Sequence, residues 1–249
     1  MKQFFKKLSG IFSIKNKKMR IANYATSCLL IIYFGLIIYP NFLFGHSLKY
    51  KNFNVYSTQP LGDSTGSVLD KVELKLSVSE IYDQNQTHNI YLCNNYTLYT
   101  FLAPLSRKAF ACNYPLINNI FIANSDIEKN ETFKNDERDK YTRQLSALIS
   151  HEATHTLIEN KIGFWKFKKL SSWKNEGYCD YVAYGQTDDW KEGMEFLIKN
   201  KNDVKPGTDY RKYYIAVNYL MTIKKMTFDN ILSTDLTFEE VLNKVELKQ

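Results

Sequence analysis

The order of its segments predicts an α+β fold for this sequence, carried behind a single apolar span. Three observations predict it. Short alternating or apolar runs of strand length lie in the first half, helical periodicity dominates from about residue 141 onward, and an uncharged apolar stretch precedes both.

The apolar stretch is located by charge. The 249-residue chain has 33 Lys and Arg against 26 Asp and Glu. Seven of the basic residues are Lys2, Lys6, Lys7, Lys15, Lys17, Lys18 and Arg20, with no acid among the first twenty positions. Subtracting them, 33 − 7 = 26, leaves the remaining chain neutral. A nucleic-acid surface needs its charge on the folded part, so no nucleic-acid partner is expected. Residues 21–48 then contain no Asp, Glu, Lys or Arg, and residues 29–39 are strongly apolar. About twenty such residues match the hydrocarbon thickness of a bilayer. Basic flanks stay on the cytoplasmic side. The expected organisation is a single-pass membrane protein: a cytoplasmic tail at 1–20, a transmembrane anchor at 21–44, and a folded domain at 50–249 outside the cytoplasm. A cleaved signal peptide is the competing reading, but the bulky Pro40-Asn41-Phe42-Leu43-Phe44 offers no small-x-small cleavage site. Cys93 and Cys112, 19 residues apart in the exported part, are candidates for a disulfide or for two buried thiols.

Within the domain, residues 52–56, 88–93 and 118–124 read as strands. Asp63 and Ser64 suit the start of a helix over 68–82, where Val68, Leu69, Val72, Leu76 and Ile81 recur at helical spacing. The densely charged 125–142 reads as a solvated loop. Leu145, Leu148, Ile149, Ala153 and Leu157 mark one long helix ending near Gly163, with later helices expected at 172–185, 188–200, 210–225 and 237–247.

The chemistry-bearing constellation sits on the long helix. His151-Glu152-Ala153-Thr154-His155 places two of the chain's four histidines four apart, on one helix face, where both imidazoles can grip one ion. Zinc lowers the pKa of a bound water to about 7, and a carboxylate beside it, here Glu152, can take the proton as the water attacks a carbonyl. A catalytic zinc needs three protein ligands and an open position. Glu176 is available as the third ligand. Asp180, four residues further on, can accept the outer N–H of a ligating histidine. Cys179 points to a different helix face from Glu176 and suits a small buried apolar role.

An HExxH helix followed by Asn175-Glu176-x-x-x-Asp180 resembles the gluzincin metallopeptidases, the thermolysin-like group, over about residues 140–185. The resemblance implies a zincin-like domain: a small N-terminal sheet, the HExxH helix and a helical C-terminal lobe. It implies His151, His155 and Glu176 as Zn2+ ligands, Glu152 as general base and Asp180 as the partner of His151. The metzincin pattern would require Gly and His where Ile158 and Lys161 stand. Gluzincins commonly supply a Tyr or His to the oxyanion. No histidine follows His155, so Tyr210 and Tyr213 are the candidates, each with a packing role as the alternative. In many gluzincins an edge strand pairs with the extended substrate, and 120–124 is the expected segment.

The expected activity is hydrolysis of peptide bonds in a peptide or protein substrate, at the outer side of the membrane. The rivals are a non-catalytic zinc-bearing or partner-binding member with a degenerate peptidase fold, and a membrane-anchored binding module without metal.

Overall fold

The computed structural model describes residues 17–134, 142–185, 190–200 and 208–246, and the chain divides into two compact units, residues 1–43 and 44–249. Residues 1–16 of the expected basic tail lie outside the described residues, as do 135–141 of the charged segment and the first two positions of the helix expected at 188–200.

The first unit is built on α1 (Lys17–Ile38). Within it, residues 19–38 form one helix long and apolar enough to cross a membrane, almost wholly unburied; a signal sequence would have the same length and composition.

In the second unit, β1 (His46–Tyr50) and β2 (Phe53–Ser57) form an antiparallel hairpin turned by Lys51 and Asn52. Lys51 adopts the left-handed conformation, and its ammonium bonds Asp70 at 2.7 Å, which pins the hairpin to α2 (Ser64–Leu76). Helix α2 crosses to β3 (His88–Leu92), parallel to β2. It ends at Leu76 rather than near Tyr82, because Ser77 closes the last turn on the Glu73 carbonyl. After the short α3 (Tyr96–Leu102), β4 (Ala111–Tyr114) and β5 (Asn119–Ile122) form a second antiparallel hairpin, with β5 parallel to β3. The strand order is β1-β2-β3-β5-β4.

That order corrects two expectations. Strand β5 lies between β3 and β4, so 120–122 is interior to the main sheet, and Asn124 opens the outer strand of a second sheet; the outer strand of the main sheet on that side is β4, residues 111–114. Cys93 and Cys112 are free thiols. The amide of Cys93 bonds Ile122 of β5, and Cys112 pairs with Phe121 from the opposite side. One full strand separates them, so their Cα atoms are about 10 Å apart, beyond the reach of about 7 Å that a disulfide spans.

The segment 124–144 holds a second, three-stranded sheet of β6 (Asn124–Asp126), β7 (Glu131–Phe133) and β8 (Thr142–Gln144). Asn130 between β6 and β7 starts the next helix. Its main-chain carbonyl accepts the Leu145 amide at 2.9 Å and its side chain accepts the Ser146 amide at 2.8 Å, satisfying two donors that a helix N-terminus leaves unpaired. The helix is α4 (Leu145–Ile162), ended by Gly163 at φ 81°.

Helix α4 is buried on most of its surface. Leu145, Leu148, Ile149, Ala153 and Leu157 join Val68, Leu69, Val72 and Leu76 of α2 and Val55, Ile90, Leu92, Ile120 and Ile122 of the sheet in one core. Apolar area removed from water at roughly 25 cal/mol per Å² makes this core the main stabiliser. The opposite sheet face carries an aromatic row, Tyr56, Tyr91 and Phe121, stacked at 5.0 Å spacings. Helices α5 (Ser172–Tyr184), α6 (Trp190–Lys199), α7 (Thr208–Asn218), α8 (Phe228–Ser233) and α9 (Phe238–Glu246) complete the unit. Helices α2 and α3 interleave with the strands, the unit's remaining helices follow them, and the class is α+β.

Candidate metal centre

Three helices build the centre. Helix α4 supplies His151 and His155, with rings 5.0 Å apart and nearly perpendicular. Helix α5 packs against α4 and supplies Glu176 and Asp180. Helix α7 packs against α5 closely enough that a Cβ on Gly177 would lie 2.5 Å from the Tyr213 carbonyl oxygen. Glycine beside Glu176 is therefore what lets α7 approach the centre.

The side chains converge. Nδ1 of His151 lies 2.7 Å from Oδ1 of Asp180, leaving its Nε2 to face Glu176 Oε2 at 3.2 Å. Nε2 of His155 lies 3.7 Å from the same carboxylate oxygen. Nδ1 of His155 faces Asn175 Oδ1 at 3.1 Å and the Cys179 sulfur at 3.2 Å. Sequence spacing thus brought together the two histidines, Glu176 and Asp180. It missed Asn175 as the neighbour of His155, although it is part of the quoted motif.

The electrostatics follow from crowding six ionisable groups together, largely out of water. Burial works against a charged His151, but the carboxylates of Asp180 and Glu176 outweigh it and hold its pKa well above the ordinary value. Burial raises Glu176, and the two histidines overcome that and leave it lowered. Burial raises Glu152, only partly offset by His155 and His151. The Cys179 thiol is pushed well up by burial and then by Glu176, Asp180 and Glu152.

His151, His155 and Cys179 form a group that could hold a metal ion, with donor atoms all within 4.8 Å of one another. A second donor set overlaps it: Nε2 of both histidines with Glu176. Ligands about 2.0–2.1 Å from a tetrahedral ion are separated by about 3.4 Å, and the gaps of 3.2 and 3.7 Å to Glu176 bracket that value. The residues therefore fit a divalent ion. The Cys179 sulfur meets the Nδ1 side of His155, where Asn175 also lies, whereas Glu176 faces the Nε2 atoms of both histidines.

Other side chains border the centre. Burial, then Glu176, Asp180, Tyr213 and Glu152, raise the Tyr210 phenol, so it stands within the field of all three carboxylates. Tyr213 packs edge-on against Phe238 at 4.9 Å and, after burial and Asp209, senses Glu176. Three further residues were not singled out by the sequence. Tyr184, at the end of α5, is raised by burial and by Asp180. Arg143 on β8 lowers Glu152 and sits 4.7 Å over the Phe110 ring. Asn113 on the outer strand β4 donates to the Glu152 carbonyl and, at 2.9 Å, to Thr156 Oγ1, while its buried Oδ1 has no partner among the described residues. Asn113 thereby straps the outer strand to the helix that carries the histidines. No protein-family model matches the chain, and no curated protein matches it significantly in sequence, so the functional reading rests on these residues.

Proposed function

We propose that this chain is a zinc-dependent metallopeptidase of the gluzincin kind, anchored by α1 with its second unit outside the cytoplasm. The observation that carries the reading is the convergence of two imidazole Nε2 atoms on one Glu176 oxygen, with the outer nitrogen of His151 taken by Asp180. His151, His155 and Glu176 would hold the ion. Zinc bound there supplies Lewis acidity to a carbonyl and to water. Glu152 is the proton carrier: burial raises its pKa, so it can take a proton from water and release it to the leaving amine. Asp180 accepts from Nδ1 of His151 and thereby directs Nε2 toward the ion. Tyr210 is the donor to the developing oxyanion, and Tyr213 braces it from 6.2 Å away. The outer strand β4, at the edge of the main sheet, is where an extended substrate would lie.

The test is metal content of the purified protein read beside cleavage of a mixed peptide library, for the natural chain and for Glu152→Gln. The reading expects stoichiometric zinc in both and cleavage in the first alone. Full activity in Glu152→Gln, or no zinc in either, would overturn it.

A second reading, a closed zinc site without turnover, is favoured by the Cys179 sulfur 3.2 Å from His155. Cobalt substitution separates the two. A thiolate-to-cobalt absorption band that vanishes in Cys179→Ser supports the closed site; no such band supports Glu176 as the third ligand.

A further inference from the structure

One end of the main sheet carries a surface that neither the core nor the metal centre uses. His46 pairs with Ser57, and Phe44 packs on Tyr91 at 5.2 Å, so the chain enters the second unit where β2 and β3 stop. Helix α3 lies at the same end. Its Leu98 and Phe101 border an open groove with Thr58, Gln59, Asn94 and Asn95, the residues that follow those two strands.

Apolar side chains stand out of this end. Phe101 is 41% exposed and Leu105, in the loop after α3, is 97% exposed. Arg107 and Lys108 follow directly and are both exposed. Arg107 is turned back on the loop by a 3.1 Å bond from Nε to the Pro104 carbonyl. The surrounding sequence is unusual in charge. Residues 1–62 and 84–125 contain no Asp or Glu, and within 84–125 Arg107 and Lys108 are the only charged side chains. An exposed leucine and phenylalanine beside two cations, in a region free of acids, is the chemistry of an interfacial lipid contact.

The tether supplies the second argument. Residues 39–45 alone separate the last residue of α1 from the first of β1. Seven residues span at most about 25 Å, which is the whole length of chain between a spanning α1 and the first strand of the second unit.

We propose that this end is a membrane-docking face, with Phe101 and Leu105 inserted at the level of the lipid headgroups and Arg107 and Lys108 against anionic lipid. The proposal rests on α1 spanning the membrane and not on the peptidase reading.

The full chain is reconstituted in phosphatidylcholine vesicles with and without phosphatidylserine. An environment-sensitive fluorophore is placed at position 105 (Leu105→Cys), in a Cys28→Ser, Cys112→Ser background. The control probe is Leu74→Cys, exposed on α2 beside Glu73 at the far end of the sheet. Lipids spin-labelled near the headgroup should quench the probe at 105 and leave the one at 74 unquenched. Each cation near an anionic surface is worth about fivefold in partitioning, so Arg107→Gln with Lys108→Gln should weaken docking by about 30-fold in the anionic vesicles. A probe at native Cys28, quenched by lipids labelled deep in the acyl chain, reports separately that α1 is inserted. Quenching at Cys28 without quenching at 105 overturns the docking face while the anchor stands; no quenching at Cys28 overturns both. A probe at 105 that ignores lipid but responds to added peptides assigns the surface to a polypeptide partner, and the proposal fails.

Discussion

Histidines are buried in two regions of this protein, with opposite consequences. His88 on β3 is fully buried and stacks on Phe53, and neither of its ring nitrogens has a hydrogen-bond partner among the described residues. Burial alone acts there, and it lowers the pKa from 6.5 to about 4. His151, its side chain 14% exposed, is also largely withdrawn from water, yet Asp180 and Glu176 reverse the sign. Burial by itself therefore marks no site; the carboxylates do. One region holds a neutral imidazole as an aromatic core residue. The other holds a base whose proton an incoming cation must displace, so metal binding there releases protons.

The largest effect expected from breaking this comparison is at Glu152, the carboxylate that neither histidine engages directly. Loss of a positioned proton carrier lowers turnover by about 10²–10⁴-fold. The measurement is kcat of Glu152→Gln on a peptide that the natural chain cleaves, and a loss smaller than tenfold would remove Glu152 from the role.

The next effect is on stability and belongs to His88. Its folded pKa is depressed, so between pH 6.5 and about 4 the unfolded chain binds a proton that the folded chain does not. The stabilisation is fully present above pH 6.5 and is lost progressively as pH falls toward 4. A gap of about 2.5 units corresponds to about 3 kcal/mol. Unfolding free energies from urea melts between pH 7.5 and 4 should fall steeply for the natural chain. For His88→Phe, which keeps an aromatic ring against Phe53, they should fall less by about that amount. Parallel curves for the two proteins would show that His88 finds a proton-accepting partner in the fold.

The same contrast explains what was legible in the sequence. The candidate metal centre is local twice over: i, i+4 spacing on α4 and on α5 is fixed by helix geometry, while the pairing of the two helices came only from the resemblance. Even there, the sequence assigned Cys179 a packing role, and only the fold reveals its sulfur beside His155. Residues whose part depends on a distant segment were not legible. Asn113 acts through a strand whose Ala-Cys-Asn-Tyr run is too short to show alternation, and it reaches Glu152 across 39 positions. The run Tyr-Thr-Leu-Tyr-Thr-Phe-Leu is rich in strand-favouring residues, yet it forms α3 because the Asn95 side chain caps it at Leu98. The outer strand was misplaced by one strand for the same reason: burial distinguishes an interior strand from its neighbour only once the strand order is known. Cys93 and Cys112 illustrate the limit most plainly, since their separation along the chain says nothing of the strand that lies between them.

The smallest effect sharpens the comparison from the side of the carboxylates. Asp180 sits 2.7 Å from Nδ1 of His151 and is the main influence that offsets burial there. Asparagine in its place can still accept through Oδ1, so the ring keeps its orientation, but the negative charge that strengthens His151 as a donor to a cation is gone. Such partners of metal-bound histidines contribute about 10–100-fold in metal affinity. Competition with a chromophoric zinc chelator should therefore place Asp180→Asn within that range below the natural chain, while His88→Phe binds zinc as the natural chain does. Equal losses in both variants would mean that the fold as a whole, rather than the Asp180 charge, sets the affinity. An unchanged affinity in Asp180→Asn would mean that His151 is not a ligand through Nε2, and the donor set would have to be rebuilt around His155 and Cys179.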